Sequence, residues 1–293
     1  MNVLLVDADA SSFPNLALMK LSAYYKSLGH TVGFHITDPD KICVSSVFKK
    51  YSQSFLCSDV EYGGSAYSYD KLPLEIEHIC PDYSLYNIDY SMGFTSRGCI
   101  NTCPFCIVPE KEGAMRDHAH PSEFVRHDKV VLLDNSFTMS PRFKQNVEWM
   151  AERTLKVNIC QGVDVRRMTY DKACLLKSLK LYNHNFTSKA LHIAWDNTQD
   201  EDNVRMGIAH LFEAGFKAYS IFCYVLVGYN STHEEDYYRV MSLWNDYGIY
   251  PFVMRYNKRK DDAYLMHLSR WCNNRILFKS CTFEEYLKTR PLT

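Results

Sequence analysis

An α/β fold is predicted. Residues 1–90 read as a parallel βαβ unit, 91–257 as six strand–helix repeats that fit a partial (β/α)6 barrel, and 258–293 as a helical tail. Three observations carry this. Short apolar runs of strand length alternate with segments of helical periodicity. Glycine recurs where the helical segments end, as C-caps require. The strand–helix–strand order with short connections gives parallel, right-handed units.

The elements follow in order. Val3 to Val6 is a buried strand, and Leu16, Met19, Leu21, Tyr24 and Leu28 recur at helical spacing until Gly29. "TVGFHIT" and "KICVSSVF" supply two more strands, and the turn-rich "EYGGSAYSYDKLP" follows. Beyond residue 90 the strands are "SMGFTSR", "KVVLLD", "KVNICQG", "ALHIAWD", "AYSIFCYVLVG" and "PFVMRYN". Helices are expected in "PRFKQNVEWMAERT", "YDKACLLKSLKL", "DEDNVRMGIAHLFEAG" and "THEEDYYRVMSLWNDYG", with Asp200 and Thr232 as N-caps and Gly215 and Gly248 as C-caps. In such folds ligands sit at the C-terminal strand ends, so the residues just after each strand carry the chemistry.

Composition narrows the function. The 293 residues include 46% hydrophobic and 23% charged side chains, as in globular proteins. A net charge of −1 gives no general pull toward nucleic acid. No apolar run reaches membrane-spanning length, and "MNVLLVDADASS" lacks the features of a signal peptide, so a cytoplasmic location is expected. Eleven cysteines in a reducing compartment point to metal binding and buried thiols, not to disulfides.

The informative stretch is "SRGCINTCPFCIVPEKEG", Ser96 to Gly113, which spaces Cys99, Cys103 and Cys106 as C-x3-C-x2-C. Three thiols suit an iron–sulfur cube with one iron left open to a chelating ligand. The alternative is a zinc-stabilised binding module, a Cys3His site completed by His118 or His120.

"CINTCPFC", with Phe105 before the last cysteine, resembles the signature of the radical S-adenosylmethionine (SAM) superfamily. The wider "RGCINTCPFCIVPEKEG" is similar to the subgroup of methylthiotransferases and cobalamin-domain enzymes, which place a Rossmann-like domain before the barrel. The resemblance implies a [4Fe-4S] cluster on Cys99, Cys103 and Cys106, reductive cleavage of SAM, and hydrogen abstraction from a substrate by the 5′-deoxyadenosyl radical. It also implies an electron donor such as flavodoxin or ferredoxin. The substrate, whether nucleotide, peptide or small metabolite, stays open.

The resemblance further suggests which residues hold SAM. After the second barrel strand, Asp134, Asn135 and Ser136 stand where the family accepts the SAM ammonium. After the third, Gln161, Asp164 and Arg166 reach the rim, with Arg166 (or its rival Arg167) on the SAM carboxylate. Asp196 after the fourth strand is assigned to ribose or substrate, Val227 and Gly228 after the fifth to adenine, and Arg255 after the sixth to the rim.

Other features carry less. Cys43, Cys57, Cys80, Cys160, Cys174 and Cys223 read as structural thiols, and Cys272 with Cys281 are too few for a second cluster. The basic run 258–260, near Arg255, Arg270 and Arg275 and interleaved with Tyr256, Tyr264 and Trp271, is the one local hint of nucleic acid. "FPNLALMKLSAYYKSLGHTVGF" is similar to the opening of a cobalamin-binding domain. D-x-H-x-x-G is absent from it, so no corrinoid is expected. The lack of an evident RNA-binding β-domain or N-terminal cluster ligands weakens a methylthiotransferase reading, and the outcome of the reaction stays open.

Overall fold

The computed structural model describes residues 1–48, 55–258 and 261–290. Its first layer contains β1 (Asn2–Asp7), α1 (Leu16–Ser27), β2 (Thr31–Gly33), β3 (Lys41–Ser45) and β4 (Val60–Gly63). The strands form one parallel sheet in the order β2-β1-β3-β4. Asn15 caps α1 by accepting from the Leu18 N–H, and Gly29 ends it with φ +77°. α1 buries two faces. Leu18, Leu21 and Tyr25 pack with Val3, Leu5 and Cys43 of the sheet, while Leu16 and Met19 pack with Met92, Val131 and Leu133 of the next layer.

Two expectations need correction here. The strand "TVGFHIT" stops at Gly33, because Phe34 leaves the ladder to pack edge-on against Tyr86 at 5.0 Å. The turn-rich piece begins with a fourth strand, β4, whose edge position requires little apolar character. Gly64 follows it at φ +90°, where a Cβ would lie 2.2 Å from the Ser46 carbonyl oxygen.

Next come α2 (Leu74–Glu77), β5 (Ser91–Gly93), β6 (Ser96–Arg97), α3 (Val108–Lys111), β7 (Arg116–Asp117), α4 (Pro121–Phe124), β8 (Lys129–Leu132), α5 (Phe143–Glu152), β9 (Lys156–Ile159), α6 (Tyr170–Ser178) and β10 (Lys180–Leu181). After them lie β11 (Leu191–Trp195), α7 (Glu201–Glu213), β12 (Ile221–Val227), α8 (His233–Tyr247) and β13 (Tyr250–Arg255). Two further parallel sheets result, β10-β9-β8-β5 and β11-β12-β13. Among the described residues one isolated parallel bridge, Val163 to Ile193, joins them. The expected strands are therefore present in order, but among the described residues they make two sheets and not one continuous barrel wall. The interruption falls where β10 takes the lower edge of β9 and the chain turns back through 183–188 before β11.

Thr232 caps α8 in a reciprocal capping box with Glu235, and Gly248 ends it in the left-handed region. Gly215 follows the C-cap Ala214 with φ +89°. Asp200 occupies the N-cap position of α7 without using its side chain there.

The tail forms α9 (Ala263–Asn273), α10 (Arg275–Ser280) and α11 (Phe283–Thr289). Asn273 brackets Val253, accepting from its N–H at 2.7 Å and donating to its carbonyl at 2.9 Å, which protects the free edge of β13. Arg259, Lys260 and the side chain of Lys258, the core of the basic run, lie outside the described residues. No described helix is long and apolar enough to cross a membrane.

Candidate functional site

β6 and β7 pair antiparallel, so residues 98–115 leave the C-terminal end of β5 as a closed loop. Gly98 permits the closure: at φ +77°, a Cβ there would lie 2.2 Å from the Ala114 oxygen. Cys99 N–H donates to Gly113 O at 3.3 Å, and Cys106 N–H to Cys103 O at 3.0 Å. Two of the three sulfurs already accept backbone N–H groups, Cys99 Sγ from Asn101 and Cys106 Sγ from Val108, each at 3.4 Å. Cys99 and Cys103 are half-buried and Cys106 is exposed.

Among the described residues no three His, Cys, Asp or Glu side chains converge as ligands of one ion. The two histidines named for the zinc alternative have other partners. His118 Nε2 lies 3.2 Å from Glu77 Oε1, with its ring against His78. His120 caps α4, and its ring meets Trp149 edge-on.

Asp134 has a different task from the one the resemblance gives it. Its fully buried carboxylate accepts from the N–H and hydroxyl of both Thr95 and Ser96, at 2.6–3.0 Å. It pins the chain that leads into the cysteine loop, and burial pushes its pKa up against those bonds. Beside it, Asn135 Nδ2 and Ser136 Oγ are buried polar atoms without a protein hydrogen-bond partner.

Arg166 is likewise engaged. Its Nε and Nη2 fork onto Asp164 at 2.8 Å each, and Nη1 reaches Asp200 at 3.0 Å. Burial would raise the Asp164 pKa, but the guanidinium outweighs it and the net shift is downward. Asp164 also accepts from Asn101 of the cysteine loop at 2.8 Å. Burial raises the Cys103 thiol, while the neighbouring Arg166 opposes that shift. Gln161 and Arg167 are exposed.

Asp196 stands at the end of β11 in the same neighbourhood. Burial pushes its pKa to about 6, although Arg166 and Arg239 pull the other way. Phe105 packs edge-on against Tyr229 at 5.0 Å, and Tyr229 against Tyr256 at 4.8 Å, so the cysteine loop touches the ends of β12 and β13. Val227 is a core residue, leaving only its backbone for contact. Gly228, at φ +74°, has Leu265 Cδ1 2.5 Å from where a Cβ would stand.

The β11-β12-β13 sheet is sealed on one face by the helices. On the other, His192, Tyr224, Phe252 and Met254 remain half-buried or exposed, with His192 stacked on Tyr224 at 5.4 Å. Sequence reasoning missed Asn101 and the pair Asp236–Arg239. The i, i+3 spacing of that pair in a predicted helix was the available signal.

Comparison with known proteins gives no matching family model and no matching curated protein.

Proposed function

We propose that this chain is a radical SAM enzyme built on a partial barrel. In this reading Cys99, Cys103 and Cys106 would hold a [4Fe-4S] cluster, which when bound would supply one electron, drawn from flavodoxin or ferredoxin, for cleaving a carbon–sulfur bond of the SAM sulfonium to methionine and a 5′-deoxyadenosyl radical. The observation that carries the reading is the C-x3-C-x2-C loop. It is fixed at the C-terminal end of the first strand of a parallel series, with backbone N–H groups already directed at two of its sulfurs. Such N–H···S bonds are a means by which proteins tune cluster potential.

The chain's own residues then divide the work. The unpartnered Ser136 Oγ and Asn135 take polar groups of SAM, for which Ser136 can act as donor or acceptor. Phe105 and the backbone at Val227 and Gly228 form an aromatic and close-approach edge for the adenine. Arg166, held on two carboxylates, keeps Asp164 and the cysteine loop in place, and Asp196 offers a carboxyl group to ribose or substrate. The half-open face of His192, Tyr224 and Phe252 receives the substrate and limits water around it. A cytoplasmic setting, where thiols stay reduced, suits this chemistry.

The test is oxygen-free reconstitution with iron and sulfide, followed by dithionite and SAM. Accumulation of 5′-deoxyadenosine that disappears in Cys103→Ala supports the proposal. A reconstituted protein that leaves SAM intact contradicts it.

A further inference from the structure

Asn101 lies between two of the loop's thiols and contacts a part of the fold distant in sequence. Its backbone N–H points at Cys99 Sγ at 3.4 Å, and its side-chain amide donates to Asp164 Oδ2 at 2.8 Å. Asp164 is itself held by further bonds. It accepts from its own loop at the Arg166 N–H, at 3.2 Å, and takes two parallel bonds from the Arg166 guanidinium. Arg166 in turn is tied to Asp200 at the start of α7. A line of hydrogen bonds therefore runs from the α7 terminus through Arg166 and Asp164 to the backbone that faces the Cys99 sulfur.

We infer that Asn101 is a positioning residue: its side chain, anchored on the Asp164–Arg166 pair, fixes the Cys99 corner of the iron–sulfur site and the N–H···S bond there. This rests on the cluster reading above. Without the amide anchor, residues 100–102 can rotate. The N–H then no longer has a set direction toward the sulfur, and the thiolate loses both its orientation and the bond that offsets its charge. On the Cys106 side the N–H donor is Val108, whose side chain makes no hydrogen bond, and the neighbouring anchor is the ring contact of Phe105 with Tyr229. On the Cys99 side the backbone bond to Gly113 holds Cys99 itself, and the Asn101 side chain ties the residues that follow it to the Asp164–Arg166 pair.

The experiment uses the full chain, reconstituted anaerobically, as wild type, Asn101→Ala and the isosteric Asn101→Asp, which would face Asp164 with a second carboxylate. Two readouts are taken, iron release to a ferrous chelator and the cluster's reduction potential by spectroscopic titration. The thermal midpoint of each cluster-free protein reports folding separately. Outer-shell partners of this kind alter metal affinity by about 10–100-fold, so both variants are expected to release iron at least about tenfold faster, with a shifted potential and nearly unchanged cluster-free midpoints. A wild-type cluster together with variants that match it in release rate and potential overturns this inference alone. A change in the cluster-free midpoints with neither cluster readout altered also overturns it, since that marks a merely structural residue. A wild type that takes up no iron overturns the cluster reading and this inference with it.

Discussion

Asp236 and Arg239, one turn apart on α8, meet at 2.5 Å with both side chains fully buried. Arg239 also donates to Trp195 O at 3.0 Å and Leu226 O at 2.8 Å, at the ends of β11 and β12. Asp236 takes the Gly228 N–H at 2.9 Å and the Ser231 hydroxyl at 2.7 Å. One ion pair therefore fixes the strand ends and the glycine turn that the proposed adenine edge depends on. Removing one partner of such a pair costs about 3–5 kcal/mol, because the other charge stays buried. Arg239→Met is predicted to lose that much in urea denaturation. A loss below about 1 kcal/mol would mean the pair is dispensable.

Gly228→Ala should destabilise the chain for two separable reasons. Its φ of +74° is unfavourable for alanine, and the new Cβ meets Leu265. Gly29→Ala, at φ +77° with nothing within 4 Å, isolates the first effect. That control is expected to cost about 1 kcal/mol, and Gly228→Ala distinctly more. Adding Leu265→Ala to Gly228→Ala should relieve the excess over the control as far as the clash is concerned, apart from the cavity cost that Leu265→Ala shows by itself. Equal thermal midpoints for the two glycine variants would contradict the close contact.

Asp134 and Ser136 are predicted to separate cleanly. Asp134→Ala leaves the buried donors of Thr95 and Ser96 unpaired, at about 1–3 kcal/mol per group, so thermal stability should fall sharply. Ser136→Ala removes an oxygen with no partner in the fold, so stability should hold while equilibrium dialysis shows weaker SAM binding to the reconstituted protein. Unchanged SAM affinity in Ser136→Ala would remove that residue from the site.

Much of this was legible in the sequence because periodicity and spacing report local necessities. The strands of the second and third sheets fall on the alternating or continuous apolar runs, except β10, which takes the last residues of the expected helix "YDKACLLKSLKL" after α6 stops at Ser178, and the Thr232 cap is plain from T-x-x-E. β4 was not legible, since Val60 to Gly63 offers only Val60 and Tyr62 as a pattern before the turn-rich glycines, and it forms along the edge that β3 offers. The engagement of Asp134 was equally hidden. A carboxylate after a strand looks the same in sequence whether it faces a ligand or the N–H groups of Thr95 and Ser96, and only tertiary packing decides. Arg166 is a parallel case, since its partner Asp200 comes from a helix start 34 residues away.

Acid should open the contact between the first layer and the cysteine-bearing ribbon. Burial alone would raise the Glu77 pKa, but His118, Lys20 and Arg97 outweigh it and hold it at about 2. A depressed carboxylate contributes stability above its unfolded pKa, about 4.3, which is lost as pH falls through the folded value. Glu77→Gln should therefore be less stable than wild type at pH 6, with the difference shrinking steadily from about pH 4.5 down to about 2. A difference independent of pH across that range would contradict the assignment.

Asp196 carries the opposite sign. A carboxyl group whose pKa is raised to about 6 by burial stabilises least when ionised, so its penalty appears as pH rises from the unfolded value through 6. In cluster-free protein, Asp196→Asn should raise the thermal midpoint at pH 7.5 and leave it unchanged near pH 3.5. A gain that persists in acid would point to packing and not to charge.

The central claim is that Cys99, Cys103 and Cys106 hold a cluster with one iron free for SAM. The most direct measurement is electron paramagnetic resonance of the dithionite-reduced, anaerobically reconstituted protein with and without SAM. The account predicts a [4Fe-4S]+ signal whose line shape changes when SAM is added and which is absent from the triple cysteine-to-alanine variant. A signal indifferent to SAM, or a wild-type protein that binds zinc and no iron, would contradict it.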